Sequence, residues 1–381
     1  MTQDQVENLL SEDRTFPPSP EFAANANVKA DEYKKADEDR IAFWESQAEY
    51  LKWEKRWHTV LDWQVPFAKW FIDGKLNASV NCLDRHIDEG RGDRVAFYFE
   101  GEPGDTRTIT YADLLKDVKK AANALTELGI KAGDRVAIYM PMIPEAAVAM
   151  LACARVGAAH SVVFGGFSAE ALISRIQDAD ARLVITADGG YRKGAAFALK
   201  PAVDEALRGE HNVKKVLVVK RTGQEVAWTD RDIWWHEIVD RQSDKHEAEF
   251  FDSEQGLFIL YTSGTTGKPK GVVHLHQAIA HQYITAKWVL DIKESDVYWC
   301  TADIGWITGQ VWNVYGLLEI GASAVIYDGA IDYPGPERIW QTLEKYHITI
   351  FGISPTATRM FRKYGINPRT KYNLDKIRLI P

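Results

Sequence analysis

The stretch richest in reactive chemistry is Tyr261-Thr-Ser-Gly-Thr-Thr-Gly-Lys-Pro-Lys-Gly-Val-Val-His274. It follows a short apolar run, Leu257-Phe-Ile-Leu-Tyr261, which predicts a buried strand. Gly264, Gly267 and Gly271 let a backbone approach a ligand closely and aim several N–H groups at one point. The hydroxyls of Thr262, Ser263, Thr265 and Thr266 supply hydrogen bonds, and Lys268 and Lys270 supply charge suited to phosphate oxygens. Together these residues make a loop fit to hold a polyphosphate, expected to keep its shape between two buried strands. It is not a Walker A loop, because Pro269 follows Gly267-Lys268 where Ser or Thr would bind magnesium. Lys270 either joins the phosphate set or is a solvated lysine at a strand start.

A second stretch is Asp303-Ile-Gly-Trp-Ile-Thr308. Trp306 and Ile307 are bulky and apolar and stand between Gly305 and Gly309, a pattern able to close off a small pocket. The same residues are also compatible with ordinary core aromatics and a helix cap. Arg192, in Asp188-Gly-Gly-Tyr-Arg-Lys193, is by itself a surface arginine.

The elements that must position these residues alternate. Val95–Phe99, Arg135–Tyr139, Ser161–Phe164, Leu183–Thr186 and Val216–Val219 are apolar runs of strand length. Between them lie helical stretches. One starts at the capping box Thr110/Asp113 and stops at Gly129; another starts at Pro144 and stops at Gly157; a third follows Ser168, a predicted N-cap. A further helix is expected over Ala195–Leu207. After the glycine-rich loop come a helix over Gln277–Leu290, strands over Asp296–Cys300, Ser323–Tyr327 and Ile348–Phe351, and a last strand from Ile377. Strands separated by helices of this length predict an α/β fold with layered, largely parallel sheets and flanking helices. A chain that ends on an apolar strand is expected to be incomplete at its C-terminus.

Composition narrows the class. The 381 residues exceed the ~100–200 typical of one domain. A net charge of −8 argues against a nucleic-acid partner. No run approaches the ~20 apolar residues of a membrane helix, and the N-terminus lacks a signal-peptide pattern. Cys82, Cys153 and Cys300 have no metal-site spacing, which suits free thiols in a reducing, cytoplasmic compartment. Residues 1–28 are polar, interrupted by Phe16-Pro-Pro-Ser-Pro20, and predict a flexible leader. From Asp31 to Glu54 a helical stripe of Ile41, Trp44, Ala48 and Leu51 appears. The aromatic cluster Trp53, Trp57, Trp63, Phe67, Trp70 and Phe71 follows and is expected to pin this segment to a larger body.

Four strings in order carry a family resemblance: Leu76-Asn-Ala-Ser-Val-Asn-Cys-Leu-Asp-Arg85, Val162-Val-Phe-Gly-Gly-Phe-Ser168, Tyr261 to His274, and Tyr298-Trp-Cys-Thr-Ala-Asp-Ile-Gly-Trp306. From about Asp31 onward the chain resembles the acetyl-CoA synthetases, a branch of the adenylate-forming enzymes. The resemblance implies three units. Residues 29–86 would be a Trp-rich helical extension and residues 87–381 part of an AMP-binding (adenylation) domain. The family's small C-terminal domain would be absent. It implies ATP, Mg2+ and coenzyme A as cofactors, and acetate as the acid activated to acetyl-AMP and passed to the thiol.

Residue by residue, the resemblance places Thr262, Ser263, Gly264, Thr265, Thr266, Gly267, Lys268 and Lys270 on the ATP phosphates. It places Gly165, Arg192, Lys193, Thr308 and Asp332 on coenzyme A, and Trp306, Ile307 and Thr308 around the acyl group. The sequence departs from the family at Ala195, where a second coenzyme A arginine is usual, at Gln310-Val311 in place of His-Ser, at Leu317 in place of Pro, and at Asp332 in place of Asn. The family's adenine, ribose and magnesium contacts and its adenylation lysine would fall beyond Pro381. The chain alone is therefore expected to be inactive, with no complete catalytic set and no metal site, and to hold ATP weakly. Oligomeric state is left open. Alternatives are a propionate or other short-chain ligase, a luciferase-like or carrier-loading relative, and a non-catalytic nucleotide-binding protein.

Overall fold

The computed structural model describes residues 15–262 and 268–381. Among these residues two large sheets dominate. The seven-stranded sheet runs in the order Asp232–Trp234, Lys215–Val219, Leu183–Ala187, Arg135–Tyr139, Ala159–Val162, Gly256–Thr262 and Lys270–Leu275. Every pairing is parallel except the last. The five-stranded sheet runs Ile350–Gly352, Val297–Cys300, Ser323–Asp328, Val95–Gly101 and Thr106–Thr110, parallel apart from the final hairpin. Leu183–Ala187 is buried at every position, the pattern of a strand covered on both faces.

The helix signals act where the residues predict. Thr110 and Asp113 form a reciprocal capping box at the start of Tyr111–Glu127. Ser168 caps Ala169–Asp178 through the N–H of Ala171. Pro144 opens Pro144–Val156, and Gly157 closes it at φ +74°. A Cβ at Gly157 would also lie 2.6 Å from the Phe251 ring, so both backbone and space require glycine there. Pro144–Val156 is buried almost throughout and packs on Tyr111–Glu127. Its Ala-rich surface permits that close contact. One apolar core spans both sheets, and a second, around Trp299, Ile339 and Phe351, lies against the five-stranded sheet.

Five expectations are corrected. The extension is helical over Asp31–Glu38, over Arg40–Ala48 and from Val80 onward; between the last two Thr59–Gln64 and Phe67–Ile72 form an antiparallel hairpin, and Trp53–Lys55 pairs with Lys75–Leu76. Bulky aromatics suit a pleated surface as well as a helix, so composition alone did not separate the two. The aromatic cluster is also divided. Trp53, Trp57 and Phe71 pack against one another, and Trp70 packs on Trp44, whereas Trp63 and Phe67 are exposed.

Over Ala195–Leu207 the helix is confined to Lys200–Ala206; Ala195–Ala198 instead pairs with Gly189–Arg192. The leader is not free over its described part. Pro20–Asn25 is a helix capped by Ser19, and the Asn27 side chain donates to the carbonyls of Lys287 and Ile292. Finally, the glycine-rich loop does not hang between two buried strands: Gly256–Thr262 is buried over Leu257–Leu260, but Lys270–Leu275 is largely exposed.

Candidate active site

The phosphate-type loop joins the two strands of an edge hairpin. Thr262 pairs with Lys270 and Tyr261 with Gly271, so the hairpin stands at the C-terminal end of Gly256–Thr262. This is the end at which open α/β sheets bind ligands. Thr262, Lys268 and Lys270 are exposed there; Ser263, Gly264, Thr265, Thr266 and Gly267 lie outside the described residues. The base of the hairpin is fastened. The Tyr261 hydroxyl donates to Asp178 at 2.8 Å, and burial followed by this bond raises its pKa well above the ordinary phenol value. The Arg175 guanidinium covers both the Tyr261 and Phe167 rings, at 5.3 and 4.8 Å. It thereby couples the hairpin to the Gly165-Gly166 turn.

That turn borders a cleft of about 800 Å³, lined by residues from the C-terminal ends of both sheets. From one sheet come Tyr139–Met142 and Phe164–Phe167, and from the other Trp299–Thr301 and Tyr327–Gly329. The Tyr139 hydroxyl lies 3.0 and 2.7 Å from the carbonyl oxygens of Gly165 and Phe167, which fixes the turn. Arg192 lines the cleft from the hairpin Gly189–Ala198 and is exposed. Lys193 follows at φ +53°, beside Gly194 at φ +80°, and forms the tip. Ala195 pairs directly with Arg192, so the missing second arginine would stand across the ribbon from the first.

Asp303 lines the same cleft. Burial lifts its carboxyl to about 6, against the pull of the Gly305 N–H (2.7 Å) and of the Arg192 charge. Gly305 and Gly309 have steric reasons. A Cβ on Gly305 would sit 2.8 Å from the Phe164 Cα, and one on Gly309 would sit 2.1 Å from the Asp303 carbonyl oxygen. The loop is folded tightly on itself and on the Phe164 turn.

The three acyl-pocket candidates are divided between two cavities. Trp306 packs toward Phe164 and Phe167, on the side of the wide cleft. Ile307 and Thr308 line a second cavity of about 230 Å³ with His274, His281, Val311 and Trp312. Trp306 is 52% exposed and Ile307 44%, so neither is an ordinary core residue. Of the coenzyme A candidates, Gly165 and Arg192 meet in the wide cleft, and Lys193 sits at its lip. Thr308 belongs to the smaller cavity. Asp332 is not among the lining residues, and its carboxylate accepts a hydrogen bond from the Tyr364 hydroxyl at 3.0 Å.

Sequence reasoning passed over Asp303, Arg175 and Trp312. For Asp303 the signal was available: an aspartate two residues before a glycine is the pattern of an Asx turn. Arg175 and Trp312 become visible only through tertiary contacts. Among the described residues no group of three or more His, Cys, Asp or Glu could hold a metal ion.

Comparison with known proteins agrees with this architecture. The family model described as AMP-binding enzyme matches residues 83–380, and that described as acetyl-coenzyme A synthetase N-terminus matches residues 30–82. A curated acetyl-coenzyme A synthetase of Streptomyces avermitilis is 58% identical over 100% of this chain, and one of Mycobacterium tuberculosis is 54% identical over 96%. The chain spans 59% and 57% of the lengths of these relatives. The solved structure of acetoacetyl-CoA synthetase from Streptomyces lividans matches with a TM-score of 0.87 at 25% identity, covering 95% of this chain and 58% of that one. The chain belongs to the AMP-binding enzyme family and carries the acetyl-coenzyme A synthetase N-terminal segment ahead of the AMP-binding region.

Proposed function

We propose that the chain forms the phosphate-binding hairpin, acyl pocket and thioester cleft of an AMP-forming acetate–CoA ligase. The observation that carries this reading is the segment Asp303–Gly309, which lends Asp303 to the Gly165–Arg192 cleft and Ile307 to a cavity that His274 of the hairpin strand also lines. In the first step the carboxylate of acetate attacks the α-phosphorus of ATP and pyrophosphate leaves, giving acetyl-AMP. In the second the thiol of coenzyme A loses its proton to solvent, its sulfur attacks the acetyl carbonyl, the acyl–phosphate bond breaks, and AMP leaves with the electron pair. A carboxylate is already a nucleophile, so the first step needs positioning and charge neutralisation rather than a protein base.

Thr262, Ser263, Gly264, Thr265, Thr266, Gly267, Lys268 and Lys270 would hold the β- and γ-phosphates. Mg2+, when bound, would neutralise phosphate charge, with phosphate oxygens and water as most of its ligands. Coenzyme A would pass its pantetheine arm along Phe164-Gly165 and rest its nucleotide phosphates against Arg192 and Lys193. Trp306 would stand between this arm and the acyl cavity. Four heavy atoms at roughly 30 Å³ each, the share of a water in the liquid, fill about half of the smaller cavity. Its volume of about 230 Å³ therefore also admits propionate, which is the second reading.

The test is acetate- and ATP-dependent pyrophosphate release, followed by coenzyme A-dependent AMP formation, by the complete gene product. Acetate or propionate is expected to be the best acid; preference for a four-carbon acid would overturn the reading. The 381-residue chain by itself is expected to release no acetate-dependent pyrophosphate above the uncatalysed rate.

A further inference from the structure

The hairpin tip that carries Arg192 and Lys193 is too small and too exposed to hold its own shape. Its strands are four residues each, and Lys193 to Ala196 are exposed. Isolated two-stranded hairpins of this length are marginal in water. What fixes its tip comes from the five-stranded sheet. Glu102, just beyond the strand Val95–Gly101, is 6% exposed. Its carboxylate accepts the backbone N–H of Lys193 at 3.0 Å, of Gly194 at 2.7 Å and of Ala330 at 2.6 Å. Its own N–H donates to the Asp328 carbonyl at 2.7 Å, which locks Glu102 to the end of the neighbouring strand.

Two glycines make room for this arrangement. Gly329, at φ +133°, would place a Cβ 2.4 Å from the Glu102 Cβ, and Gly194, at φ +80°, would place one 2.2 Å from the Tyr333 hydroxyl. The hydrogen bonds go to the backbone of the tip, so they set its conformation without competing for the Arg192 and Lys193 side chains. Charge-assisted bonds of this kind are short and roughly twice as strong as neutral ones.

We propose that Glu102 is a positioning residue for the coenzyme A nucleotide: by clamping the backbone of Lys193 and Gly194 to the five-stranded sheet, it presents Arg192 and Lys193 at the mouth of the cleft. The inference rests on the coenzyme A reading given above. It makes the anion-binding tip a part built from two elements, with the cations on the short ribbon Gly189–Ala198 and the clamp on the five-stranded sheet.

The probe is adenosine 3′,5′-bisphosphate, which carries the 3′-phosphate and the first 5′-phosphate of the nucleotide end of coenzyme A. Binding to the 381-residue chain is measured by calorimetry, and amide hydrogen exchange is followed at residues 189–198. Glu102→Ala is expected to weaken binding by about tenfold or more and to speed exchange at Lys193 and Gly194. Glu102→Gln, which keeps one acceptor oxygen, is expected to fold normally and to recover part of the affinity. In a mutant cycle, Glu102→Ala on an Arg192→Ala/Lys193→Ala background should cost little more than the Arg192→Ala/Lys193→Ala pair alone, because both sets of changes remove the same presented charges. Additive losses would show a general structural role and overturn the proposal. Unchanged exchange at Lys193 and Gly194 in Glu102→Ala, or full affinity in that variant, would overturn it for Glu102 alone. No binding of the bisphosphate by the wild-type chain would overturn the coenzyme A reading itself, and this assignment of Glu102 with it.

Discussion

Asp303 shows how one side chain records the character of the cleft. Its carboxyl titrates near 6 because burial penalises its charge more than the Gly305 N–H and Arg192 repay. A raised carboxylate pKa costs stability wherever the unfolded chain would be ionised. That cost is absent below about pH 4, grows as pH rises through the window between the ordinary value and 6, and is complete above it. Asp303→Asn keeps an oxygen for the Gly305 N–H and removes the charge. A tenfold change in proton affinity is worth about 1.36 kcal/mol, so this variant should be more stable than wild type by roughly 1–3 kcal/mol at pH 8 and about equal to it at pH 4. Urea unfolding of both forms at the two pH values checks this; equal gains at both would rule out the titration. Asp328 shares the behaviour. It is also lifted by burial to about 6, although Arg221 pairs with it at 2.7 Å.

At the scale of elements, the Asp303–Gly309 segment is held by contact rather than by regular structure. Gly309→Ala has no flexible neighbour to displace, since the Cβ would meet a backbone carbonyl. A loss of about 1–3 kcal/mol is expected, with a matching drop in thermal midpoint. The elements themselves were largely legible. Wherever a local signal was strong the boundaries follow from it, as with Thr110/Asp113, Pro144, Gly157 and Ser168. The apolar runs predicted as strands from Arg135–Tyr139 to Ile348–Phe351 all overlap strands. What escaped were short antiparallel ribbons. Ala195-Ala-Phe-Ala198 has a helical composition, but pairing with Gly189–Arg192 and the Glu102 clamp decide its conformation. The edge position of Lys270–Leu275 escaped for a similar reason: Val272 and Val273 have the composition of a buried strand, and only sheet order exposes them. Of the candidate site, the residue types of the loop and of the Trp306 segment were legible as candidates for chemistry. The division of Trp306 from Ile307 and Thr308 was not, because it depends on which side of a tight loop each side chain leaves.

Over the whole molecule, the N-terminal extension is integrated through buried polar links. Arg155 is 1% exposed and pairs bidentately with Asp84 at 2.7 and 3.0 Å, while also donating to the His246 carbonyl. The Asn77 side chain donates to the carbonyls of Arg155 and Glu249. The Ala78 N–H donates to His276 Nδ1, and burial lowers that imidazole to about 3, so it stays neutral and able to accept. Arg155→Ala should leave Asp84 and the His246 carbonyl without their partner and cost about 3–5 kcal/mol in chemical unfolding. A cost below about 1 kcal/mol, the range of an exposed ion pair, would show that the extension is fastened elsewhere, by the Trp44, Trp53 and Trp70 contacts. The same scale explains the site: neither sheet has a complete pocket, and both meet at their C-terminal edges.

The outer strand of the seven-stranded sheet, Lys270–Leu275, has a colloidal consequence. Val272 and Val273 are 44% and 54% exposed on a strand paired along one side only, among the described residues. Such an edge offers a ladder of backbone donors and acceptors to any other extended chain. Lys268 and Lys270, at its start, then have an effect besides the phosphate binding proposed for them: two like charges brought together discourage edge-to-edge pairing between copies. Salt screens that repulsion over ~8–10 Å at physiological strength, and a bound polyanion would cancel it. On the proposed phosphate role, loading the hairpin and keeping molecules apart in solution would thus be opposed demands on the same two lysines.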